Sequence, residues 1–192
     1  LMEVNTMQTE YILKAMDAAL AAGKEILNVY NDPSSDFQVE RKADNSPLTL
    51  ADRKAHETIM TYLQETDYPV LSEEGKHLPY EKRAQWDTLW IVDPLDGTKE
   101  FIKHNGEFTV NIALVQNSVP VLGVIYVPVK RVLYFAVEGI GAYKCSGIVA
   151  PVGKGTTLQQ MIKESELMPL EDVRDHFLSL IHISEPTRLL SI

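Results

Sequence analysis

Apolar residues recur at helical spacing over residues 11–30, where Ile12, Leu13, Met16, Leu20, Gly23, Ile26, Leu27 and Tyr30 share one face, so a first amphipathic helix is expected there. The stretch 31–35 (NDPSS) has loop composition, and a short strand is expected near 37–41. A second helix is expected over 49–65, with Ala55, Ile59, Met60 and Leu63 on its apolar side. Thr49 and Asp52 have capping-box spacing at its start. Beyond it the period changes. Residues 68–71 read as a short apolar strand; 89–92, 108–115, 121–127, 132–137 and 142–144 read as further strands joined by short turns, which favours antiparallel pairing. Helices first and strands after indicate an α+β layer rather than a doubly wound sheet.

The chemistry concentrates where the strand at 89–92 ends. Residues 90–101 (WIVDPLDGTKEF) deliver two carboxylates, a glycine and a hydroxyl into one turn. Asp93 precedes a proline and is therefore extended, whereas Gly97 can take angles closed to other residues. Asp93 and Asp96 then project from two limbs toward a common point, with the Leu95 carbonyl able to face inward. Two carboxylates about 4 Å apart repel by roughly 4 kcal/mol at an effective dielectric near 20. Hard cations between them remove that penalty, and Mg²⁺ prefers such oxygen ligands together with a phosphate. A short helix opening at Thr98 adds free N–H groups that favour an anion.

Taken alone, Asp-x-x-Asp-Gly is also the composition of a plain turn in which Asp96 caps a helix. Two further segments bear on the choice. Residues 68–75 (YPVLSEEG) end an apolar strand in paired glutamates, and a strand beside the one leading to Asp93 would bring Glu73 next to the aspartates; alone, they also fit a solvated acidic loop. Asp52 is explained by helix capping, which is compatible with holding a water for attack on phosphorus.

Residues 42–52 (KADNSPLTLAD), 71–74 (LSEE) and 90–113 (WIVDPLDGTKEFIKHNGEFTVNIA) together resemble the inositol-phosphatase superfamily, most closely its CysQ-type branch of 3'(2'),5'-bisphosphate nucleotidases. The resemblance covers roughly residues 11–177. It implies the N-terminal helix and antiparallel-sheet half of the sugar-phosphatase fold, with the C-terminal α/β domain largely missing. It implies Glu73, Asp93, the Leu95 carbonyl and Asp96 as ligands of two or more Mg²⁺ ions. Asp52 and Thr98 would activate the water, while the Gly97 and Thr98 N–H groups would hold the phosphate, so that Glu73, Leu95, Asp96, Gly97 and Thr98 border the substrate. The implied substrate is 3'-phosphoadenosine 5'-phosphate, cleaved to AMP and phosphate. An inositol monophosphatase or fructose-bisphosphatase shares the same turn and stays open.

The resemblance also implies a further aspartate ligand in a Trp-Asp-x-Ala-like segment, which nothing here matches. The expected organisation is a first domain over 1–146 and, over 147–177, a linker with the start of a second. Residues 178–188 (LSLIHISEPTR) resemble a translated transposase adapter of sequencing libraries, so 178–192 are expected to be a non-native tail. Little or no activity is expected of the 192 residues alone, and non-catalytic binding of a phosphorylated metabolite is the alternative.

Charge and composition narrow the partners. A net charge of −9 makes nucleic acid and anionic membranes poor partners, although metals reverse the local sign for an anionic nucleotide. The single cysteine, Cys145, cannot form an intrachain disulfide and suits a reducing, cytoplasmic compartment, with peripheral attachment to the inner membrane left open. The longest apolar run, 119–129, is broken by Pro120 and Pro128 and reads as a strand rather than a transmembrane segment. With Glu3 and Glu10 near the start, no secretory signal is expected, and Leu1 ahead of Met2 and Met7 leaves the natural start open. His77 and His104 lack a second ligand at zinc spacing, and Trp86 and Trp90 read as packing residues. Counting from Asp93, Gly97 falls one place short of an EF-hand glycine. Oligomeric state is not legible.

Overall fold

The apolar periodicity of the first segment is realised as α1 (Thr6–Tyr30), whose residues Ile12, Met16, Leu20 and Ile26 are buried. The computed structural model describes residues 6–34, 39–41, 47–75, 78–153 and 155–168; His77, residues 42–46 of the 42–52 run and residues 178–192 lie outside them. Two short strands, β1 (Glu40–Arg41) and β2 (Pro47–Leu48), pair antiparallel ahead of α2 (Leu50–Leu63). The capping box at Thr49 forms, and Ala55, Ile59 and Leu63 face the core.

After β3 (Val70–Ser72) and the single turn α3 (Tyr80–Arg83), the chain builds β4 (Thr88–Asp96), α4 (Thr98–Ile102), β5 (Thr109–Gln116), β6 (Val119–Val127), β7 (Val132–Val137) and β8 (Gly141–Ser146). It ends in α5 (Leu158–Lys163) and β9 (Glu166–Met168). The strands lie side by side in the order β3-β4-β5-β6-β7-β8-β9. Strict alternation on β5 and β7 sends Val110, Ile112, Leu114, Leu133, Phe135 and Val137 to the face covered by α1, while α2 packs on β4. Gly23 lets α1 approach β6 closely, because a Cβ there would overlap the Tyr126 ring. This is why a residue that weakens helices sits mid-helix.

Two expectations need correcting. The sheet is mixed, not wholly antiparallel: β3 runs parallel to β4, with Val70 opposite Trp90 and Ser72 opposite Val92. The connection over 73–87 supplies the dozen or so residues that a parallel crossover requires. Second, β4 does not stop at residue 92; it continues through Pro94 to Asp96, with a register shift between Asp93 and Asp96. The pre-proline restriction therefore produces a bulge instead of a strand end. Across residue 146, where the first domain is expected to end, the described residues continue to make contacts with the preceding ones. Leu158 and Met161 of α5 enter the same core, β9 pairs with β8, and the Val152 N–H donates to Asp17 at 2.6 Å.

Candidate metal and phosphate site

The parallel pairing of β3 and β4 builds the site's first half. Their register puts the residue after Ser72 beside the residue after Val92, and the Glu73 N–H donates to the Val92 carbonyl at 3.1 Å. The side chains of Glu73 and Asp93 thereby meet. Burial pushes the Asp93 carboxyl up to about 7, reinforced by the charges of Glu73 and Asp96 and by a hydrogen bond with Glu73, and opposed by a backbone hydrogen bond from Leu95. Asp93 Oδ1 is buried with no hydrogen-bond partner. A buried carboxylate oxygen left bare costs free energy, so such atoms call for a proton, a water or an ion.

The second half is built by α2 and the turn after β4. Gly97, at φ +97°, takes the left-handed conformation, and a Cβ there would come within 2.8 Å of the Glu107 carbonyl. That turn starts α4, with the Phe101 N–H donating to the Gly97 carbonyl at 2.9 Å. Phe101 anchors the helix in an aromatic cluster with Tyr30 and Phe108. The Thr98 hydroxyl consequently points back to α2, where it donates to Asp52 Oδ1 at 3.0 Å, and it also lies 3.3 Å from the Leu95 carbonyl. Asp52 is buried, and its Oδ2 accepts from the Thr49 N–H and hydroxyl. One carboxylate thus caps its helix and grips the site threonine.

Glu73 and Asp93 come together as expected, and so do Asp52 and Thr98. Asp96 departs. It is exposed, and its Oδ2 accepts from Asn111 Nδ2 at 3.1 Å, so among the described residues no three acidic, histidine or cysteine side chains converge as a metal cage. The register shift in β4 leaves Asn111 opposite Asp93 yet within reach of this carboxylate. Asn111 itself escaped the sequence reading. Its signal was the alternation of β5, which places Thr109 and Asn111 on the face opposite Val110 and Ile112. His56 was missed too: its Nδ1 lies 2.9 Å from the Ser72 hydroxyl, and burial lowers its pKa against the opposing charges of Glu74 and Glu57. His104 stacks on Tyr30, Trp90 is fully buried with Nε1 donating to Thr66, and Cys145 is buried and free.

The residues fit a hard divalent cation. Every donor here is oxygen, and the bare Asp93 Oδ1 beside Glu73 is a ligand position that the protein does not itself fill. No helix among the described residues is long and apolar enough to cross a membrane.

Residues 7–178 match the Inositol monophosphatase family. The 3'(2'),5'-bisphosphate nucleotidase CysQ of Escherichia coli K12 is 55% identical over 120 residues, 62% of this chain and 48% of the relative. The Buchnera aphidicola protein of the same name is 42% identical over 135 residues, 69% of this chain and 50% of its own. The chain thus spans about half the length of these curated relatives. A crystal structure of CysQ from Bacteroides thetaiotaomicron superposes with a TM-score of 0.80 at 60% identity, covering 94% of this chain and 70% of that one. A suhB protein from Bartonella henselae superposes at 0.63 with 32% identity, over 71% and 52%.

Proposed function

Because the chain belongs to the inositol monophosphatase family, we propose that the protein it is part of is a Mg²⁺-dependent phosphomonoesterase that removes the 3'-phosphate of 3'-phosphoadenosine 5'-phosphate, giving AMP and phosphate. The substrate follows the names of the CysQ relatives. The observation that carries the chemistry is the Thr98–Asp52 hydrogen bond, at the turn that follows the strand bearing the bare Asp93 oxygen.

Glu73, Asp93, the Leu95 carbonyl and Asp96 would hold the ions, two or more in number, with Asp96 released from Asn111 to join them. Bound there, Mg²⁺ supplies charge that polarises the phosphate and stabilises the departing oxygen. The residues do the rest. Thr98 Oγ accepts a hydrogen bond from the attacking water while donating its own proton to Asp52 Oδ1, so a proton can pass from water through Thr98 to Asp52 as the P–O3' bond breaks, and the departing 3'-oxygen takes a proton from solvent water to become the hydroxyl of AMP. The Gly97 and Thr98 N–H groups orient the phosphate oxygens. Placing attacking water and phosphate in line is where most of the advantage of such a site lies.

We also propose that residues 1–146 form the helix-and-sheet half of the fold, that 147–177 lead toward a second domain, and that 178–192 are adapter-derived. The family match ends at residue 178, where the adapter-like stretch begins, which supports that junction. Resequencing the locus past codon 177 tests it: an uninterrupted natural frame encoding LSLIHISEPTR overturns it.

The functional test joins this chain to its downstream coding sequence and measures phosphate release with Mg²⁺. Preference for 3'-phosphoadenosine 5'-phosphate over inositol 1-phosphate is expected, with little turnover by the 192 residues alone. The opposite preference would move the reading to an inositol monophosphatase.

A further inference from the structure

The helix that carries Asp52 also carries His56 one turn later, and the two side chains reach different limbs of the site. Asp52 holds Thr98, on the limb that follows β4. His56 Nδ1 lies 2.9 Å from the hydroxyl of Ser72, the last residue of β3. We propose that His56 is a positioning residue for Glu73: through Ser72 it fixes the strand end from which the Glu73 carboxylate reaches the cation, so that α2 clamps both limbs. This rests on the reading of Glu73 as a Mg²⁺ ligand.

Three features support a positioning role. β3 is only three residues long and lies at the edge of the sheet, with ladder bonds to β4 on one side alone. Those bonds fix its register but hold it weakly out of the sheet plane, which is the direction a side-chain anchor from α2 controls. Next, Ser72 is the corner of the turn that presents Glu73. Its carbonyl accepts from the Gly75 N–H at 3.0 Å, and a Cβ at Gly75 would meet that carbonyl at 3.1 Å. Moving Ser72 therefore moves Glu73 with it. Finally, burial favours the neutral form of His56, so the ring orients the limb without setting a positive charge beside a cation site.

The test uses Mn²⁺ as the probe, with binding to the 192-residue chain read by calorimetry and by water-proton relaxation. Partners that orient metal ligands typically contribute 10–100-fold in affinity, so His56→Ala and Ser72→Ala are each expected to weaken Mn²⁺ binding by roughly tenfold or more. The double variant should be no weaker than either single one, because both remove the same anchor. His56→Asn puts an amide near the Nδ1 position, able to donate to or accept from Ser72, and should recover most of the affinity. A purely structural role would lower the melting temperature of the metal-free chain while leaving the affinity of the folded protein unchanged. Unchanged Mn²⁺ affinity in both single variants, or losses that add in the double variant, would overturn the proposal. Where His56→Ala does not fold, Ser72→Ala decides alone by the same criterion. If the parent chain binds no Mn²⁺, the metal reading of the site fails, and this inference falls with it.

Discussion

Asp52 and Asp93 stand at the same end of the sheet and live in opposite circumstances. Asp52 is buried, but the Thr49 N–H, the Thr49 hydroxyl and the Thr98 hydroxyl all point at its carboxylate. Asp93 is half-buried against Glu73, with one oxygen bare and its pKa pushed up to about 7 by burial and by its acidic neighbours. The chain completes the first carboxylate by itself and leaves the second to be completed from outside. On the function proposed above, the contrast separates a limb that would handle the proton, preorganised by α2, from a limb that would hold the cation.

The comparison breaks first at Asp93. Asp93→Asn should reduce Mn²⁺ affinity by well over the roughly 10–100-fold typical of a supporting partner, and calorimetry reads the loss. The variant should melt no lower than the parent without metal, since the amide ends the repulsion with Glu73. Asp52→Ala should do the reverse. Removing the cap and the Thr98 anchor should cost about 1–3 kcal/mol in urea unfolding, while Mn²⁺ affinity changes only a few-fold.

A pH series sharpens the same contrast. An acid whose folded pKa lies above its unfolded value stabilises the fold most below the unfolded pKa and loses that contribution as pH rises to the folded pKa. For Asp93 the window runs from the ordinary carboxylate range up to about 7. The stability of the parent relative to Asp93→Asn should therefore fall over that window without metal and recover when Mg²⁺ is added at pH 8. A flat difference between the two proteins across the window would remove the claim of strain. The smallest effect is expected at Asn111, which competes for Asp96 at 3.1 Å. Asn111→Ala should leave metal binding within a few-fold of the parent.

Much of this was legible in the chain because the patterns are local. Helical period, the Thr49–Asp52 cap, β-strand alternation and the Gly-Thr turn chemistry each act within a few residues, and the structure follows them. What escaped lies across the sheet. The parallel register of β3 on β4 depends on a long crossover, so pairing alone decides it. The capture of Asp96 by Asn111 and the bond from His56 to Ser72 join residues 15 and 16 apart. A polar residue at such a position shows in sequence only as a lone exception on a strand or helix face, without its partner. The return of α5 and β9 to the first sheet was hidden for the same reason.

The central claim is that Asp93 and Glu73 await a cation, and an anomalous-scattering crystal structure of this chain with Mn²⁺ tests it most directly. The account predicts a peak about 2.1 Å from Asp93 Oδ1, close to the distance of a small hard dication such as Mg²⁺ from oxygen, with Glu73 and the Leu95 carbonyl in the same shell. A Mn²⁺-bearing crystal with no peak there, and with Asp93 Oδ1 satisfied by water or a protein donor, would contradict it.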